Sequence, residues 1–140
     1  MAFGDSPLVH AWVEPFCAAA HVVLTQSSAP WPRDDPADRL VNAADFSDAN
    51  TRVDLPACSA GFHPYGAADV WQAAAFAAER VLAALDDRNH VSTVWTWVRS
   101  KAFFDGLGVT VRLREIVPTA GGRHDSVMLT RDYGTVLDGA

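Results

Sequence analysis

Leu8-Val-His-Ala-Trp-Val-Glu-Pro-Phe16, then a short Cys17-Ala-Ala connection, then Ala20-His-Val-Val-Leu-Thr25: two β-favouring runs lie close together near the start of the chain. Valine, tryptophan, phenylalanine and threonine suit a pleated, half-buried surface, so the two runs predict an antiparallel strand pair over residues 8–25. His10 and His21 fall on opposite strands of that pair and are acid or base candidates. The simpler reading is two satisfied structural histidines.

Working outward, Gln26 to Pro56 is different in kind. Pro30, Pro32, Pro36 and Pro56, with Ser27, Ser28 and scattered aspartates, predict a long, mobile loop of the sort that serves as a lid or crossover. Residues 67–87 then carry Val70, Ala74, Ala77, Ala78, Val81 and Leu85 at helical spacing, with Gln72, Glu79, Asp86 and Asp87 on other faces. Trp71, Phe76 and Leu82 widen the apolar surface beyond one stripe, which predicts a helix covered on most sides. Val91–Val98 and Val109–Val117 are β-rich, the second cleanly alternating, with a turn over Lys101–Gly108 between them. Residues 118–140 read as a tail with one weak strand candidate, Ser126–Thr130. The fold class that follows is α/β: a mixed sheet with an antiparallel strand pair, a long crossover loop and one long alanine-rich helix packed on it, forming a single domain or half-domain.

Composition narrows the function. The chain has 140 residues, 49% of them apolar and 20% charged, the profile of a domain able to bury a core. Seventeen acids against eleven Lys/Arg give a formal charge of -6 with no basic cluster, which argues against nucleic acid as a ligand. Asp69, Gln72, Glu79 and Arg80 interrupt the longest apolar stretch, so no membrane span is expected. Two cysteines forty-one positions apart make neither a disulfide framework nor a zinc site, and a cytoplasmic location is the natural expectation.

The segment Cys58-Ser-Ala-Gly-Phe-His-Pro-Tyr-Gly66 runs straight into the predicted helix. Pro64 fixes its own φ and pushes His63 out of the helical region, so the stretch reads as a shaped turn. A helix starting just after Cys58 favours its thiolate through the dipole and the first-turn amides, making Cys58 a candidate nucleophile and His63 its possible base. A lone cysteine is more often a small buried apolar residue. His63, Asp69, His90 and His124 could supply metal ligands, but no pair has HxH or HxxxH spacing, so no metal is expected. Trp95 and Trp97 share one face of a strand, and with Tyr65 they are candidates for binding a partner.

Val9-His-Ala-Trp-Val-Glu-Pro15 followed by His21, then Cys58 with Pro64-Tyr-Gly66 and the alanine-rich helix, resembles the C-terminal half of ThiF-like adenylyltransferase domains, the activating enzymes of ubiquitin-like and sulfur-carrier proteins. The resemblance spans residues 8–117. It implies that Gln26 to Gly66 is the crossover loop and that Cys58 sits in it as a thioester cysteine, attacking a carrier protein's acyl adenylate and releasing AMP. It also implies another ThiF-like chain, a copy of itself or a ubiquitin-like carrier protein as partner. Two departures matter. No strand followed by G-x-G-x-x-G occurs, so ATP and magnesium are expected only in a partner or missing half, and Ala19-Ala20 replaces the glycine pair frequent before the family's histidine. The alternative is therefore a non-catalytic interaction subunit, or degenerate half-domain, that completes a partner's sheet.

Overall fold

The computed structural model describes residues 7–26, 42–46, 53–54, 61–62, 65–86, 91–108, 111–114, 117 and 125–138. Its elements run β1 (Pro7–Val13), a 3-10 turn (Pro15–Cys17), β2 (Ala19–Gln26), β3 (Ala44–Phe46), β4 (Val53–Asp54), β5 (Gly61–Phe62), α1 (Ala67–Asp86), β6 (Thr93–Val98), α2 (Lys101–Gly106), β7 (Val111–Leu113), β8 (Val127–Asp132) and α3 (Tyr133–Asp138). The principal sheet has four strands in the order β1-β2-β6-β8. Every pairing among the described residues is antiparallel, which corrects the expected mixed sheet.

The expected strand pair is present. Val13 lies opposite Ala20, Trp12 opposite His21 and His10 opposite Val23, so the two histidines are diagonal neighbours rather than direct partners. Between the strands Phe16 and Cys17 take φ of 60° and 52°. Left-handed backbone at two consecutive non-glycine residues is unusual. It is held here by the amides of Cys17 and Ala18, which donate to Glu14 O and Pro15 O, and by burial of Cys17.

β2 is buried from Ala19 to Thr25 because both faces of the sheet are covered there. On one face Ala20 and Val22 pack with Ala73 and Phe76 of α1, flanked by Trp95 and Trp97. On the other, Ala19 and Val98 meet Ala43 and Val117, with Phe104, Leu113 and Leu129 against them. Val23 and Val94 meet Tyr133, with Trp12 and Val136. The alanines of α1 permit this close approach to the sheet.

Several expectations need correction. Among the described residues of the alternating run Val109–Val117, Val111–Leu113 form a strand, and it pairs with β3 instead of joining the main sheet. Its alternate residues Arg112 and Arg114 are charged, and Arg114 is anchored to Asp45 at 2.6 Å. β8, over the weak strand candidate of the tail, lies beside β6, with Val127 and Leu129 half-buried. The anticipated turn over Lys101–Gly108 is mostly α2, begun by Ser100, whose side chain accepts from the Phe103 amide at 3.3 Å. The irregular tail ends in α3, where Asp132 Oδ1 accepts from the Thr135 amide at 2.9 Å. Within the expected crossover loop, β3, β4 and β5 are short strands. Finally, among the described residues α1 is not covered on most sides: Ala73, Phe76 and Ala84 are buried and Ala77 is half-buried against the sheet, while Val70, Val81 and Leu85 of the expected stripe, with Trp71 and Leu82, are exposed.

Candidate functional site

Cys58 and His63, the candidate nucleophile and base, lie outside the described residues, as do His90 and His124. Tyr65 stands 54% exposed just before α1. With Phe16, Gly66, Asp69, Phe103 and Leu107 it lines a recess of about 290 Å³. Asp69 is not available there as an unpaired ligand, because Arg99 binds it at 2.9 Å. Arg99 also lies over the Phe103 ring at 4.4 Å and donates to Gln72 Oε1 at 2.7 Å. Trp95 and Trp97 do share a face, and that face is the one α1 packs on. The guanidinium of Arg80 lies 5.8 Å from the Trp95 ring and that of Arg99 5.4 Å from Trp97, so both indoles are half-buried under the flank of the helix.

A buried polar cluster joins His21, an acid or base candidate or a satisfied structural histidine by its sequence, to Glu14, to which the sequence reading gives no role. Glu14, at the end of β1, and His21, on β2, are 2% and 1% exposed. Their contact, Glu14 Oε1 to His21 Nε2, is 2.6 Å. Glu14 also accepts from the Ala43 amide through Oε1 and from the Ala44 amide through Oε2, the latter at 3.0 Å. The other ring nitrogen of His21, Nδ1, lies 3.0 Å from Thr96 Oγ1, which in turn accepts from Arg131 Nη2 at 3.1 Å. Trp12 stacks on the imidazole with ring centroids 5.0 Å apart. Both imidazole nitrogens are occupied and the group is sealed from solvent, so it serves as a clamp that ties residues 43–44 to the sheet, not as an acid or base for a substrate. The sequence signal was a carboxylate closing an apolar strand seven residues before a histidine on the returning one.

What faces outward is apolar. β1 is an edge of the sheet, and no described strand pairs with its other side. It carries no aspartate, glutamate, lysine or arginine from Pro7 to Val13, and Leu8 and Val9 are exposed. Between β1, β2 and α1 runs a groove of about 200 Å³ lined by Ala11, Val13, Ala20, Val70, Ala73 and Ala77, among others. Val70 and Ala74 on the groove's α1 side are themselves exposed, and on the same helix Trp71, Leu82 and Leu85 are 76%, 63% and 69% exposed. Charged groups, prolines or bulges ordinarily protect an edge strand, and β1 has only Pro7 at its start.

Among the described residues no three His, Cys, Asp or Glu side chains come together as metal ligands. No described helix is long and apolar enough to cross a membrane. No family model matches the chain, and neither a curated protein nor a solved structure shows significant similarity to it.

Proposed function

We propose that this chain is a non-catalytic interaction subunit whose β1 edge and outer α1 surface are covered by another protein chain, extending the sheet. One observation carries this reading: an uncharged seven-residue edge strand borders an apolar groove, and the helix on the groove's other side carries exposed apolar residues. An ordinary monomer exposes no apolar patch much larger than about 300–600 Å². A strand added at β1 gains main-chain hydrogen bonds, and the groove beside it receives the alternate side chains. The resemblance to ThiF-like domains agrees with such a role, since a half-domain without an ATP site depends on a second chain. The thioester chemistry expected of Cys58 is separate and rests on that resemblance alone.

A photo-crosslinking amino acid in place of Leu8, in the chain expressed in its native cell, tests the reading. A defined protein adduct from position 8, absent when the same group replaces the exposed Asp132 on the opposite edge, is the expected result. No adduct at position 8, or equal adducts at both, contradicts it.

A further inference from the structure

We draw no further inference here: the strongest candidate, the recess lined by Phe16, Tyr65, Asp69 and Phe103 between the β1–β2 turn, the start of α1 and α2, carries none, because its carboxylate is already paired with Arg99 and nothing in the structure shows what ligand its aromatic walls would take.

Discussion

β2 and α1 are both apolar almost throughout, yet their fates differ. From Ala19 to Thr25 every residue of β2 is buried, with α1 on one side of the sheet and residues 43, 117 and 133 on the other. In α1 only Ala73, Phe76 and Ala84 are buried, while Trp71 is 76% exposed. An apolar residue buried within one chain contributes to folding. An apolar residue left outside contributes to whatever covers it. The contrast separates the core of this protein from its interface, and substitutions can test each side of it.

The largest effect is expected at the clamp that fixes residues 43–44 to the sheet. Glu14→Ala leaves His21 Nε2 and the amides of Ala43 and Ala44 without their acceptor in a buried setting. Loss of one member of such a buried pair costs about 3–5 kcal/mol. Chemical denaturation should show that loss, and Glu14→Gln, which keeps one acceptor oxygen, should fall between the variant and the parent. A change below 1 kcal/mol, as is common for surface positions, would remove the clamp from the account.

Next in size is the direct contrast between strand and helix. Leu24→Ala, at a position 1% exposed, should cost about 2–5 kcal/mol of folding stability. Leu82→Ala, at a position 63% exposed, should stay within about 0.5 kcal/mol when measured on the dilute chain. Equal losses at the two sites would mean that the outer side of α1 belongs to the core.

A smaller effect concerns Cys17, buried in the turn between β1 and β2. Burial raises its thiol pKa, Asp69 raises it further, and Arg99 lowers it. The folded state therefore prefers the protonated thiol. Its contribution is complete below the unfolded thiol's value of about 8.5 and is lost as pH rises from there through the folded value. Tyr133 acts in the same direction at higher pH, because burial raises its phenol as well. Melting temperature should fall on the alkaline side, less steeply in Cys17→Ala, and iodoacetamide should leave Cys17 unmodified in the native chain at neutral pH. A Cys17 that alkylates as fast as a free thiol would contradict the burial. It also serves as the internal control for any reactivity of Cys58.

Much of this architecture was legible in the sequence, and the exceptions have physical causes. The strand pair at 8–25 and the strand at 93–98 were legible in their β-favouring residues and the helix at 67–86 in its helical spacing, but the helix packs on the sheet through Ala73, Phe76 and Ala77, while Val70, Ala74, Ala78, Val81 and Leu85 of the expected stripe are exposed. Residues 109–117 alternate most cleanly, but alternation fixes only that one side is apolar, not which sheet it joins; the Arg114–Asp45 pair places residues 111–113 beside β3. α2 and α3 are six residues each, too short for periodicity, and their signals were the capping side chains of Ser100 and Asp132. The Glu14–His21 contact depends on strand register and on where residues 43–44 return, neither of which local patterning specifies. The double apolar face of α1 was visible as a wide stripe, but a stripe does not say which side meets its own sheet.

Hydroxyl-radical footprinting of the chain in native extract and of the dilute purified chain tests the central claim most directly. The account predicts that Trp71, Leu82 and Leu85 are protected in the extract and labelled in the purified chain, while Phe76 is protected in both. Equal labelling of Trp71 in the two states would contradict a covered outer face on α1.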